Sequence, residues 1–92
     1  MTDGVVDNRV HNRYELTVDG ATAFVAYARE PGVITFIHTV VPEALAGRGI
    51  GSILATHVLD DARANGEKVI PQCPFIAAYI RRHQQYQDLV VA

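Results

Sequence analysis

The chain holds a single cysteine, Cys73, so no internal disulfide can form and one thiol is left free. That fits a reducing compartment, and a cytoplasmic protein is the expectation. The eight Lys and Arg do not outnumber the ten Asp and Glu, and the net charge is -2. No basic stripe is available, so binding to a nucleic-acid backbone is not expected. No apolar run approaches the length of a membrane span, and Met1 to Asn8 lacks the charged-then-apolar arrangement of a signal peptide. No membrane contact is therefore expected. No two histidines stand at metal-ligand spacing and one cysteine makes no cluster, so no metal is expected. What is present is a 49% hydrophobic sequence of 92 residues, read as one domain over 1–92. About 65% of the unfolded surface of such a chain can be buried, so the core has to be tightly packed.

Residues 1–8 read as a loose start. From Arg9 to Val18 the sequence alternates, with Val10, Asn12, Tyr14, Leu16 and Val18 on one face, as a half-buried strand does. Asp19-Gly20 is a hairpin signal, because the tight turn needs positive φ. Ala21 to Arg29 returns as a second strand, and Glu30-Pro31-Gly32 turns again. Val33 to Val41 is rich in β-branched residues and apolar on both faces, as expected of a central strand. These three strands predict an antiparallel meander. Ile50, Ile53, Leu54, His57, Val58 and Asp61 then recur at helical spacing, and Asn65-Gly66 stops that helix. Lys68 to Gln72 reads as a short fourth strand. Pro74 suits the first turn of a second helix, marked by Phe75, Ala78, Tyr79 and Arg82. A strand–helix–strand crossover makes Lys68 to Gln72 parallel to Val33 to Val41. The predicted fold is α+β: a four-stranded, mostly antiparallel sheet with one parallel strand pair and two helices. The tail Tyr86 to Ala92 ends apolar and is read as closing a sheet edge or meeting a partner.

Two neighbouring parallel strands end at the same sheet edge, so His38 to Val41 and Gln72-Cys73 should lie close together. Between them comes Gly47-Arg48-Gly49-Ile50-Gly51-Ser52, a glycine-rich turn that opens a helix. Glycines there leave no Cβ to block a ligand, and the helix N-terminus carries partial positive charge. The turn fits a phosphate or pyrophosphate. It lacks the Gly-Lys-Ser/Thr of nucleotide-triphosphatase loops. It is also a poor dinucleotide fingerprint, because hairpins rather than a βαβ unit precede it. The competing reading is that the glycines only allow close helix–sheet packing.

From His38 to Val90 the chain resembles the small branch of the GNAT acyl-CoA N-acetyltransferases. The superfamily pattern is Gln/Arg-x-x-Gly-x-Gly/Ala after a central strand. Ala46-Gly47-Arg48-Gly49-Ile50-Gly51 carries both glycines, with Ala46 at the polar first position and Arg48 as a substitute cation. The small branch adds His38-Thr39 before the loop and Pro71-Gln72-Cys73 after the fourth strand. Pro74-Phe75 and Tyr79-Ile80-Arg81-Arg82-His83 follow. The resemblance implies acetyl-CoA, or coenzyme A, as cofactor. The diphosphate would rest on the N–H groups of Gly47, Arg48, Gly49, Gly51 and Ser52. The pantetheine arm would pair with the backbone of Val40 and Val41, and the thioester would lie close to His38 and Cys73. Arg81 and Arg82 would reach the adenosine phosphate, or simply solvate their helix.

Two routes for acetyl transfer follow. In one, Cys73 takes the acetyl group as a thiolate and passes it on, its thiol activated by the adjoining helix start and by His38 if the two meet. In the other, the amine attacks directly, His38 is general base, and Cys73 only lines the pocket. Tyr79 stands where superfamily members place the group that protonates the departing thiolate. The plain alternatives are a buried Cys73, a core His38 and a core Tyr79. His57 reads as structural, and His11 and His83 as surface residues. Full-length superfamily members have helices after the first strand and two further strands that wall in the acceptor. Here the acceptor side should be open, which suits a bulky acceptor such as a protein amino group, or a partner that completes the site. The expected partner is a small-molecule or protein amine, and the expected state a monomer or weak homodimer. The rival reading is a CoA-binding regulatory or interaction module with little or no catalysis.

Overall fold

The structure is a computed structural model that describes residues 3–91. Met1 and Thr2 of the expected loose start, and Ala92 of the apolar tail, lie outside them. The elements are β1 (Val6–Asn8), β2 (Arg13–Val18), β3 (Ala21–Glu30), β4 (Val33–Val40), α1 (Ile50–Ala64), β5 (Lys68–Pro71) and α2 (Pro74–Arg82). Short 3-10 segments cover Glu43–Leu45 and Gln84–Leu89. The sheet runs in the order β1-β2-β3-β4-β5, antiparallel except for the β4–β5 pair.

The expected meander and parallel crossover are present, but the sheet has five strands rather than four. The extra strand is Val6–Asn8, where the sequence suggests a loose start. It pairs Val6 with Glu15 and Asn8 with Arg13. Three residues are too few to show a period of two, so only the pairing reveals them. The next strand begins at Arg13 rather than Arg9. Asn12 adopts φ 54° and Val10 is 86% exposed, because the chain turns between β1 and β2. Asp19 (φ 51°) and Gly20 (φ 79°) make the expected left-handed hairpin turn.

Side chains on one sheet face form the core. Tyr14, Leu16, Ala23, Val25, Tyr27, Ile34, Phe36 and Val69 are all buried there. Against them pack Ile50, Leu54, Ala55, Val58, Leu59 and Ala62 of α1, which recur every three or four residues, and Ile76 and Ile80 of α2. Burying a Leu or Ile side chain of this kind stabilises the fold by about 1.5–3 kcal/mol. The other face, with Phe24, Ala26, Thr35 and Ile70, has no helix over it. Val33–Val40 is thus not covered on both sides, although its composition suggests so. Helix α1 ends as expected, with Asn65 at the C-cap and Gly66 at φ 69°, whose N–H donates to the Arg63 carbonyl at 3.1 Å. The tail closes the β5 edge. Val90 bridges Val69, and the Val91 N–H donates to the Val69 carbonyl at 3.0 Å.

One irregularity decides what each side chain near the sheet's end can reach. Ala26 pairs with His38 but Tyr27 pairs with Phe36, so Ile37 is an extra residue in β4. A bulge of this kind reverses the alternation beyond it. Without it His38 would follow Ile34 and Phe36 to the helix side. With it, His38 joins Phe24 and Ala26 on the uncovered face, and Thr39 joins Val25 on the helix side.

Candidate functional site

The β4–β5 ladder stops at Phe36–Pro71, while β4 continues to Val40. Cys73 is held there by its N–H, which donates to the Phe36 carbonyl at 2.8 Å. Beyond that bond β5 has left, and the edge of β4 at Val40 and Val41 faces a gap between the two strands. The two strands therefore part company four residues before β4 ends. Val40 is 39% exposed and Val41 half-buried.

The chain then turns through Glu43–Leu45, anchored by the buried Leu45, into the glycine loop. Gly47 (φ 78°) and Gly49 (φ 74°) are left-handed, a region costly for any residue with a Cβ. A Cβ built on either would meet no protein atom within 4 Å. The glycines serve the backbone path and the open space above it, not close packing at those two positions. Gly51 differs. A Cβ there would stand 2.9 Å from the Phe75 ring, so this third glycine does let α2 approach α1. Gly49 is the N-cap of α1, which has no side-chain cap and no acidic residue in its first turn. The first N–H of this stretch to find a partner is that of Ile53, donating to the Gly49 carbonyl at 3.1 Å. Among the described residues, no amide from Gly47 to Ser52 donates to a protein acceptor. Such a row of unmatched donors at a helix start attracts anions. A cleft of about 330 Å3 adjoins it, walled by Val41, Leu45, the loop and Phe75.

The side chains named from the sequence are distributed as follows. Cys73 is the N-cap of α2 and only 2% exposed. Its neighbour is Thr39, whose Oγ1 lies 3.2 Å from Sγ. His38 is not brought to Cys73. It lies across the sheet, exposed, with its ring edge against Phe24 at 5.9 Å. Tyr79 is half-buried, and its hydroxyl lies 2.5 Å from Thr56 Oγ1 on α1. The Arg48 guanidinium points away from the loop to Asp19 at 3.0 Å. Ser52 is exposed beside the loop. Four residues with visible roles escape the sequence reading. Thr39 was legible only as half of His38-Thr39. Phe75 fills the space beside Gly51. Thr56 fixes Tyr79. His83, read as a surface residue, is half-buried and stacked on Tyr79 with ring centroids 3.9 Å apart. His57 is structural as expected, bonded to Asp3 at 2.9 Å and packed edge-on to Tyr14.

The chain matches, at full coverage, the solution structure of a Staphylococcus aureus protein described as a candidate GCN5-like N-acetyltransferase. The TM-score is 0.74, the identity 27%, and the match covers 92% of that protein. No curated protein matches the chain. The family model for GCN5-related N-acetyl-transferases matches residues 13–89. That span takes in four of the five strands, both helices and the glycine loop, and the chain belongs to the GCN5-related N-acetyltransferase family.

Proposed function

We propose that this protein transfers an acetyl group from acetyl-CoA to an amine. The carrying observation is the row of unmatched amides from Gly47 to Ser52, set beside a β4 edge that β5 has released. These residues fit the cofactor. Gly47, Arg48, Gly49, Gly51 and Ser52 offer backbone donors to a diphosphate, and no side chain fills the space above Gly47 and Gly49. Val40 and Val41 offer strand-like pairing to the amides of a pantetheine arm. Bound acetyl-CoA supplies a thioester, an acyl group activated toward amines.

The chain's own residues divide the remaining work between two faces. His38, exposed on the uncovered face, accepts the proton that an attacking amine must lose. That face has no helix over it, so a protein amino group can approach as readily as a small amine. On the helix side, Thr56 can donate to the Tyr79 oxygen, which leaves the phenolic proton free for a departing thiolate. A relay through Cys73 is the second reading, favoured by its place at the start of α2 and by the Thr39 hydroxyl beside its sulfur. The opposed positions of His38 and Cys73 favour direct attack, because no histidine stands ready to deprotonate the thiol.

Release of CoA thiol from acetyl-CoA across a panel of amines tests this. His38→Ala should lower turnover by about 100-fold, the scale of a lost general base. Cys73→Ala should leave it within about threefold. A loss with Cys73→Ala as large as with His38→Ala would make the relay the route. Tight CoA binding with no release above background from the wild type would make the protein a CoA-binding module instead.

A further inference from the structure

The uncovered face of the sheet carries one row of residues that joins three strands. Arg13 pairs with Ala26, and Ala26 pairs with His38. The extra residue Ile37 is what brings His38 into this row. We propose that the acceptor is a small amine that also carries a carboxylate. The carboxylate sits on Arg13, the carbon chain lies over Ala26 and Phe24, and the amine reaches His38. The inference rests on the acetyl-transfer reading above and adds the chemical class of the acceptor.

The first argument is the placement of the row. Neighbouring strands lie about 4.8 Å apart, so Arg13 and His38 are rooted about 10 Å apart. Both lean toward the same aromatic ring. Arg13 Cζ lies over Phe24, 4.5 Å from the ring centroid, and the His38 ring meets Phe24 edge-on at 5.9 Å. On the strand between them stands Ala26, whose side chain is a single methyl group. The floor between cation and base is therefore low and apolar. Once each end of a substrate sits at hydrogen-bond distance, a chain of about five carbons spans what remains.

The second argument is what Arg13 has left to donate. Its Nε donates to Glu15 at 2.6 Å, and Asn8 donates to the same carboxylate oxygen at 3.3 Å. That bond and the Phe24 ring fix the guanidinium. Among the described residues, nothing accepts from its two terminal nitrogens. Arg29 is the contrast, tied at Nε and at both terminal nitrogens to Glu67, Asp7 and the Tyr14 and Tyr27 hydroxyls. Lys68, on the same face of the sheet as Val33, gives its Nζ to the Asp88 carbonyl at 3.0 Å. The plain alternative is a surface ion pair that shades Phe24. That role uses Nε and the flat of the guanidinium and needs neither terminal nitrogen. A carboxylate takes two parallel donors in that fork. Glu15 is the other charge beside the row, and it would draw a second amine instead.

Acetylation of δ-aminovalerate, pentylamine and cadaverine, equal in carbon count, tests the assignment. The wild type should give δ-aminovalerate a kcat/KM about tenfold above that of pentylamine, through KM, as a partly exposed charge-assisted pair provides. Arg13→Ala should bring the two to within about twofold of each other. Arg13→Lys should keep part of the advantage, because it keeps the charge and loses the fork. Without acetyl-CoA, millimolar δ-aminovalerate should move the Arg13 Nε–H signal in the NMR spectrum of the labelled protein, and pentylamine should not. Equal kcat/KM for the two monoamines, a preference for cadaverine, an advantage that survives Arg13→Ala, or an unmoved Arg13 signal overturns this inference and leaves acetyl transfer standing. Failure of the wild type to acetylate any amine of the wider panel removes both.

Discussion

The two ends of the sheet are built on opposite plans. At the glycine-loop end, backbone donors go unmatched, the parallel ladder stops early and the helix start is uncapped. At the far end, around the Glu30-Pro31-Gly32 turn, polar groups are matched to one another. Arg29 Nε donates to Glu67 at 2.7 Å, and its other nitrogens reach Asp7 (3.4 Å), Tyr27 (3.3 Å) and Tyr14 (3.1 Å). Tyr14 in turn donates to Asp61, and Tyr27 to Asp7 at 2.6 Å. This network joins β1, β2, β3, α1 and the segment entering β5. The contrast separates holding from binding. Buried charge is tolerable only when fully partnered, so one end fastens the fold, while the other leaves its backbone donors unmatched by protein.

The largest expected effect tests the fastening end. Arg29→Ala strands the buried Glu67 and leaves Asp7 with the Arg9 guanidinium alone, costing about 3–5 kcal/mol. For a chain of this size the melting temperature should drop by at least about 10 °C. CoA affinity measured well below that temperature should be unchanged. An unmoved melting temperature would show that the network fastens nothing. The reverse pattern belongs to Gly49→Ala. A Cβ in the left-handed region costs about 1–2 kcal/mol of stability. CoA affinity should fall by about 10–100-fold as one or two amide contacts to charged oxygen are lost. Equal losses of stability and affinity from both substitutions would abolish the division.

A pH series sharpens the comparison at lower amplitude. Burial, reinforced by the Asp7 carboxylate, pushes Tyr27 up to about 12. Burial with Asp60 does the same for Tyr86. These folded values exceed the unfolded value near 10, so the unfolded chain loses its phenolic protons first. The contribution is complete below about pH 10 and is lost as pH rises toward 12. Circular dichroism should show stability falling in that window, less steeply in Tyr27→Phe. The smallest effect is expected from Arg48→Ala. Its guanidinium is spent on an exposed pair with Asp19, so CoA affinity should stay within about threefold and the melting temperature should barely move.

Much of this was legible in the residues. Asp19-Gly20, Asn65-Gly66 and Pro74 placed a turn, a helix stop and a helix start, because each acts through its own backbone dihedrals. The loop at Gly47 to Ser52 was legible for the same reason. Val6–Asn8 was not, since a three-residue strand exists only through its pairing with Arg13–Glu15. Nor was the partner of Cys73. The parallel crossover put His38 and Cys73 at one sheet edge, and both are there, but the extra residue Ile37 sends them to opposite faces.

The sequence by itself determined the order of the elements, their periods and the stretch of backbone open to an anion, because these depend on dihedral preference and side-chain spacing within a few residues. The tertiary structure alone decided which face His38 occupies, that Thr39 meets Cys73, and that Arg13 stands in one row with His38. Each of those is fixed by strand register or helix packing between residues distant in the chain, and a one-residue slip in register turns a side chain to the other side of the sheet.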